Sequence, residues 1–589
     1  MVCIAIDPVT RVGGHLRLEA EVEGAVSDAW SSGTMFRGIE RILTDRDPRD
    51  AYLFAQRICG LCNGTHALAA VRAVEDAFSI HVPSNARLLR NLLAGSEFVQ
   101  DHVIAFYQLQ LLDWVDFEAA LTADPDTTSA LAKSIGHWSL SSSDHFKAVQ
   151  DRLRTFAASG QLGIFANGYW GHPAYTLSPE ADLLLVSHYL DSLDWERRFM
   201  RLQAMLGGKS PHLQCYVMGG MVTVPAWAGP VLPAGGEHPQ QVERETPPVM
   251  SDVGIADMRA LIDEARVFVD EVFVPDVGLI SEHYREWSSI GRSVGNYLSY
   301  GEFPEDDTTQ PKLLFPRGRV MDRDLVNVLP VNEENIAETV AHAHYTYPDG
   351  SGIYLPPADG ATNPGYAGPP PPVTSLAGST KYSWVKAVRY AQEPMEVGAL
   401  ARILVAFQAG SEEVQAKVAD AISSIGTGPE AMFGTIGRIA ARAIEPQILV
   451  GRLRTWLDGV VDNMATGDLA FANLALWEPE GWPSDISGFS LGEGARGAVG
   501  HWVSIGNRRT SAYQVVDATT WNASPRDALD RRGPIEEALV GTPVVDTRRP
   551  LEILRVAHSF DPCAACAVHA YDPAGDPAID VRVSAGASR

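Results

Sequence analysis

Apolar and polar positions alternate over the first two dozen residues, in Ile4-Ala-Ile-Asp and again in HLRLEAEVEG from His15 to Gly24. That period of two predicts strands on either side of the Pro-Val-Thr turn at 8–10. From about Asp50 to Phe78 and from Ser84 to Leu121 the spacing becomes helical, with few Gly or Pro interruptions. The stretch AGSEFVQDHVIAFYQLQLLDWVDF (94–117) is apolar on more than one face, as a buried helix is. Helical patterns recur at 179–206, 251–285, 395–422 and 430–463. Between them lie loop-rich segments at 222–241 and 359–372. The second ends in Pro369–Pro372, four prolines that no helix interior or central strand accepts and that read as a rigid surface loop. The closing region 488–562 mixes short strands and turns with a helix around PLEILRVAHSF (550–560). No internal repeat is visible. The fold class is therefore α+β and mainly helical: one large domain with a central bundle of long helices and small peripheral β-sheets.

Composition narrows the function classes. Apolar residues make up 46% and charged residues 20% of the 589, the balance of a globular protein. The formal net charge of −26 argues against wrapping nucleic acid or lying on anionic lipid, since both need a basic face. No segment approaches the roughly 20 apolar residues of a membrane span. The opening MVCIAIDPVTRVGGH lacks a basic stretch followed by an apolar one, so no secretory signal is expected. The expected location is cytoplasmic, or peripheral to a membrane through partners.

Six cysteines stand at 3, 59, 62, 215, 563 and 566, too few for a disulfide scaffold at this length. Four form two C-x-x-C pairs, Arg57-Ile-Cys59-Gly-Leu-Cys62-Asn-Gly-Thr-His66 and Asp561-Pro-Cys563-Ala-Ala-Cys566-Ala-Val-His569. Each turn brings two sulfurs close enough to share a metal ion, which in turn keeps them as thiolates. A compact zinc module has about 15–20 residues between its pairs, whereas 501 positions separate Cys62 from Cys563. A thioredoxin-like pair belongs beside a βαβ unit, and neither flank reads as one. Spacing alone favours a four-thiolate metal site without naming the metal, and structural disulfides stay open.

The flanks go further. RICGLCNGTH resembles the amino-terminal R-x-C-G-x-C-x-x-x-H motif of nickel–iron hydrogenase large subunits, and FDPCAACAVH resembles their carboxy-terminal D-P-C-x-x-C-x-x-H motif. DPVTRVGGHLRLE, DHVIAFYQLQLLDWVD, YSWVKAVRY, ARGAVGHW and TTWNASPRD resemble further family blocks, in family order along nearly the whole chain. The resemblance implies a Ni–Fe centre between the two motifs, with cyanide and carbon monoxide on the iron. Cys59 and Cys563 would be terminal Ni ligands, and Cys62 and Cys566 would bridge to Fe. Dihydrogen is then cleaved heterolytically, with the proton passed to a nearby base. Arg496 matches the arginine whose guanidinium hangs over the metals, Asp101 and Asp561 the carboxylates that orient it, and His66 the histidine beside a bridging sulfur. Glu40, His569 and the Val515 carbonyl match magnesium ligands. Without the resemblance, Arg496 with two aspartates would read as a buried ion cluster and His66 as a satisfied core histidine.

The same likeness implies partners. Cys3 and Cys215 are isolated, so an iron–sulfur small subunit must carry the electrons onward. Family precursors need nickel-insertion factors and an endopeptidase that cuts after the last motif histidine; here residues 1–569 would form the mature domain and 570–589 the tail removed. A higher oligomer of heterodimers is expected. The alternative reading is a regulatory hydrogen-sensing subunit, although sensors tend to lack such a tail. The chain also departs from the family. Thr10-Arg11-Val12-Gly13-Gly14-His15 stands where T-R-I-E-G-H is usual, so the glutamate that relays protons from a terminal cysteine is missing. Glu40, Glu19, His15 or an ordered water would have to replace it. Ala495 replaces a proline, and Gln108 and Gln110 replace histidines. This pattern resembles the actinobacterial-type oxygen-tolerant uptake branch.

Overall fold

Six helices frame the molecule: α1 (Asn63–Ala77), α2 (Ser84–Ile104), α3 (Pro179–Gly207), α4 (Asp252–Phe268), α5 (Thr435–Ala465) and α6 (Leu551–Ser559). The computed structural model describes residues 2–222, 250–347, 354–366, 375–426 and 428–567, without the side chains of Asn167, Cys566 and Ala567. The loop expected at 222–241, apart from Val222, and the prolines at 369–372 lie outside the described residues.

Local chemistry sets the helix ends. The Ser178 side chain accepts from the Ala181 N–H, Pro179 opens α3, and Gly208 closes it at φ 78°. Ser251 caps α4 in the same way through Gly254. Helices α2, α3, α4 and α5 form a four-membered bundle in which α2 and α4 each touch both α3 and α5. The α2–α5 contact is the most extensive of these. A Cβ on Gly95 would fall 2.7 Å from the Trp456 ring and 2.9 Å from Leu453, so only glycine lets α5 lie this near the α2 backbone.

Several predicted helical runs break where the fold needs a change of direction. The run from 50 to 78 is interrupted by the Cys59–Cys62 turn, and α2 passes at Ala105 into a π-helical turn, Ala105–Gln110. The run from 395 begins only at Ala399, after a strand at Ala387–Tyr390, and splits at Gly410 (φ 84°) into Ala399–Gln408 and Glu412–Ile425. Two helices not expected from periodicity, Pro125–Ile135 and Ser143–Ser159, carry clear Asp124 and Ser142 caps.

Among the described residues the β-structure comprises two three-stranded and four two-stranded sheets. The predicted opening strands are β1 (Val2–Ile6) and β2 (Leu16–Glu23), joined by β3 (Ala25–Gly33) in an antiparallel meander. The closing region, expected as short strands, instead holds β4 (Asp485–Gly494), β5 (Gly497–Gly506) and β6 (Arg509–Val516). Gly494 pairs with Gly497 across a tight turn that presents Arg496. Strand β4 lies on α1 so closely that a Cβ on Gly488 would sit 2.3 Å from the Ala77 nitrogen.

Candidate metal centre

The segments around Gly13 and Cys563 and the β4–β5 turn converge at the N-terminus of α1. Cys59 ends a 3-10 turn (Gln56–Ile58) in extended conformation, and Cys62 is the cap residue of α1. The Cys59 sulfur accepts N–H groups from Leu61 (3.2 Å) and Cys62 (3.1 Å), donors that favour its thiolate. Cys563 follows α6 by way of Asp561, which takes a left-handed φ of 51°. Its N–H donates to Thr519 Oγ1 at 3.0 Å, and it bridges in parallel to Gly13, whose carbonyl accepts from Ala565 N at 3.0 Å.

The sulfurs of Cys59, Cys62 and Cys563 all lie within 4.8 Å of one another and are buried. Cys59 and Cys563 stand 3.4 Å apart, far beyond the ~2.05 Å of a disulfide bond. Structural disulfides, open on spacing alone, do not account for this cluster. Cys566 belongs to the short helix Ala564–Ala567, but its side chain, like all of His569, lies outside the described residues.

Arg496 is buried over the sulfurs. Its Nη1 donates to Asp101 at 2.8 Å, and its Nε lies 3.2 Å from Asp561 Oδ2, a charge contact too far off line for a hydrogen bond. Burial opposes the guanidinium charge, yet Asp561, Asp101 and the thiols of Cys62 and Cys563 hold its pKa well above the ordinary arginine range. Burial pushes both carboxyls up to about 6 against the pull of Arg496. Arg496 Nη2 and the Asp561 carboxylate oxygens have no hydrogen-bond partner among the described residues. A small cavity lined by Cys62, Thr65, His66, Arg496, Asp517 and Thr519 opens beside them. Soft sulfur donors together with an orphaned guanidinium nitrogen fit a thiolate-bound metal whose remaining ligands accept a hydrogen bond.

The turn carrying Arg496 is itself held. Arg402 donates to the carbonyls of Gly494 and Ala495 at 2.8 Å each, while pairing with Glu445 (2.7 Å) and Glu493 (2.7 Å). His66 is fully buried, with Nδ1 3.2 Å from His501 Nε2, and His501 Nδ1 lies 2.8 Å from the Tyr513 hydroxyl.

Of the three ligands expected for a hard cation, Glu40 and Val515 come together, while His569 lies outside the described residues. Glu40 accepts from the Val515 N–H at 2.9 Å and from the Thr362 hydroxyl. Val515 thus meets Glu40 through its amide. Lys386 lies 2.9 Å from Glu338 and 3.0 Å from Gln514 Oε1. Burial works against its charge, but Glu338 and Glu40 hold the ammonium well above its usual range. Of the substitutes considered for the missing glutamate, Glu19 pairs with Arg17 and accepts the Leu376 N–H at 2.6 Å, and Glu40 is committed as above.

Structure thus brings Cys59, Cys62, Cys563, Arg496, Asp101, Asp561 and His66 to one place, and Glu40 with Val515 to a second. Sequence reasoning missed Arg402, Glu97, His501, Asp517 and Thr519. His501 and Thr519 sit inside the quoted blocks ARGAVGHW and TTWNASPRD, where their roles could have been sought. Arg402 and Glu97 had no such signal.

Comparison with known proteins agrees with this geometry. A family described as nickel-dependent hydrogenase matches residues 37–569. The chain is 42% identical to the uptake hydrogenase large subunit of Bradyrhizobium diazoefficiens, covering 98% of this chain and 97% of that one. It is 41% identical to the hydrogenase-1 large chain of Escherichia coli K12, with the same coverage. Its fold is similar to the Ni-Fe-Se hydrogenase of Desulfovibrio vulgaris Hildenborough, with a TM-score of 0.75 and 30% identity over 96% of this chain and 100% of the other. On this match over nearly the whole chain, the chain belongs to the nickel-dependent hydrogenase family as a large subunit.

Proposed function

We propose that this chain is the catalytic subunit of an uptake hydrogenase, oxidising dihydrogen at a Ni–Fe centre held by Cys59, Cys62, Cys563 and Cys566. The observation that carries the reading is the convergence of three buried thiols, from opposite ends of the chain, beneath a buried arginine. When bound, the metal pair supplies the open coordination position at which dihydrogen is split heterolytically. Cyanide and carbon monoxide on the iron are compatible with the orphaned Arg496 Nη2, which can donate to such a ligand. Arg496 supplies a fixed positive charge over the cavity, in a site that excludes bulk water and so strengthens its field. Asp101 and Asp561 keep that charge in register, and His66, backed by His501, stands beside Cys62 at the cavity wall.

A magnesium ion with Glu40, Val515 and His569 as its protein contacts is supported by two buried carboxylates, Glu40 and Glu338, facing the single Lys386 ammonium. Electrons leave to an iron–sulfur small subunit: among the described residues Cys3 is exposed and Cys215 buried, apart from the cluster. Loss of the tail 570–589 to a maturation endopeptidase, after nickel insertion, is supported by the family match ending at 569. Among the described residues no helix is long and apolar enough to cross a membrane.

Metal analysis with an infrared spectrum of the complex containing the small subunit tests this. One Ni per chain with iron-bound cyanide and carbon monoxide bands is the expected result. Zinc, or no metal, in tail-processed protein would overturn it.

A further inference from the structure

Residue 13 is a glycine and offers no proton acceptor. A Cβ at Gly13 would lie 2.6 Å from the Cys563 sulfur. A different carboxyl group reaches the centre from the other side. Glu97 is buried on α2, one turn before Asp101, with its side chain at the N-terminus of α1. Its Oε1 accepts the Gly64 N–H at 2.9 Å, and its Oε2 accepts the Thr65 hydroxyl at 3.1 Å. Thr65 in turn lines the cavity shared by Cys62 and Arg496. One turn further along α2, Gln100 continues the polar face. Gln203 donates to Gln100 (2.7 Å), Ser210 donates to Gln203 (2.9 Å), and Gln100 and Gln108 both reach Glu196 (3.5 and 2.5 Å). Glu196 and Ser210 are only half-buried, so the polar strip that begins at Gln100, three residues beyond Glu97 on α2, reaches the surface.

We infer that Glu97 is the relay through which protons leave the metal centre in this chain. The step is a proton shift in which no electrons move. Thr65 Oγ1 takes a proton from the cavity as its own hydroxyl proton passes to Glu97 Oε2. The neutral acid then gives that proton up toward the half-buried carboxylate of Glu196, which can accept it and pass it to water, and returns to the carboxylate. Burial first, and then the charge of Asp101, push the Glu97 carboxyl up to about 8, which suits a group that accepts and gives up a proton near neutral pH. The titratable groups facing it are Asp101 on its own helix, Cys59 in the turn before α1, and Tyr216 in the strand Tyr216–Val217.

The inference rests on the metal assignment above, so its test measures the two separately. Complex with its small subunit, carrying Glu97→Gln, is placed in ordinary water under deuterium gas, and formation of HD and H2 is followed. Glutamine keeps one oxygen for the Gly64 N–H, turns its amide NH2 toward Thr65 Oγ1 as a donor, and carries no carboxylic acid. Exchange with solvent is expected to fall about 100-fold, with nickel content and the cyanide and carbon monoxide bands unchanged. Undiminished exchange with those bands intact overturns the relay. Absence of the bands from wild-type complex overturns the metal assignment instead. If Glu97→Gln loses its metals, wild-type protein decides. A buried carboxyl C=O band that shifts in heavy water should change on adding hydrogen, and should move in Glu97→Asp. No such band would overturn the inference.

Discussion

Arg496 shows how much one side chain asks of its surroundings here. Its fork spans two carboxylates at 2.8 and 3.2 Å. A lysine keeps the charge but has a single ammonium that cannot face Asp101, Asp561 and the cavity together. Arg496→Lys should lower the turnover of dihydrogen oxidation by about 10²–10³-fold while nickel and iron contents stay at wild-type levels. Loss of metal in that variant would show that the arginine builds the site rather than serving it. Glu97 yields a pH prediction. Its folded-state pKa of about 8 is raised above the ordinary carboxyl value of 4.5. The folded protein therefore holds a proton that the unfolded chain releases, and wild-type stability falls as pH rises between those values. Unfolding of Glu97→Gln and wild type, compared across pH 5 to 9, should show the variant gaining relative stability up to about pH 8 and levelling off above it. A gap that does not change with pH would contradict the buried acid.

At the level of elements, the site depends on how the hairpin and the two chain termini are tied down. Arg402, on the helix Ala399–Gln408, joins α5 through Glu445 to β4 through Glu493 and holds two carbonyls of the turn before Arg496. His102 on α2 closes the same network at 2.6 Å from Glu445. Breaking a buried pair strands its partner's charge, so Arg402→Leu should destabilise the protein by about 3–5 kcal/mol, measured by chemical denaturation. Gly14, at φ 75°, lies where a Cβ would fall 2.2 Å from the Ala565 nitrogen. Gly14→Ala should push apart the segments joined by the Gly13–Ala565 hydrogen bond, and nickel retention after gel filtration should drop accordingly. Full retention would mean the terminus closes without that contact.

For the whole molecule, function follows from a division of labour. The described cysteines outside the cluster, Cys3 and Cys215, lie apart from it, and on the proposed function electrons released at the metals leave through a small subunit. Mature large subunit prepared alone should still exchange deuterium with solvent but fail to reduce dyes, and adding the small subunit should restore dye reduction. Dye reduction by the lone subunit would remove the need for that partner. The strongly acidic composition, −26 overall, plays no visible part in the site, whose charges are balanced locally by Arg496, Arg402 and Lys386.

Much of this was legible in the chain itself. Strand alternation near the N-terminus, the long helical periods and the two C-x-x-C motifs are local properties, set by side-chain spacing and turn chemistry within a few residues. They also determined which residue types were available as soft ligands and that residue 13 could not carry a proton. The tertiary structure alone decided where those pieces meet. The sulfurs of Cys59 and Cys62 share one site with that of Cys563, 504 residues beyond Cys59, because α1, the β4–β5 turn and the segment after α6 pack against the same core. Likewise, nothing local marks Arg402 or Glu97. Each acquires its role from burial beside groups distant in sequence, where a low-dielectric interior makes every unpaired charge costly. Periodicity also overran the helix breaks at Cys59–Cys62 and Ala105, since these are imposed by what the chain must reach rather than by the residues that form them.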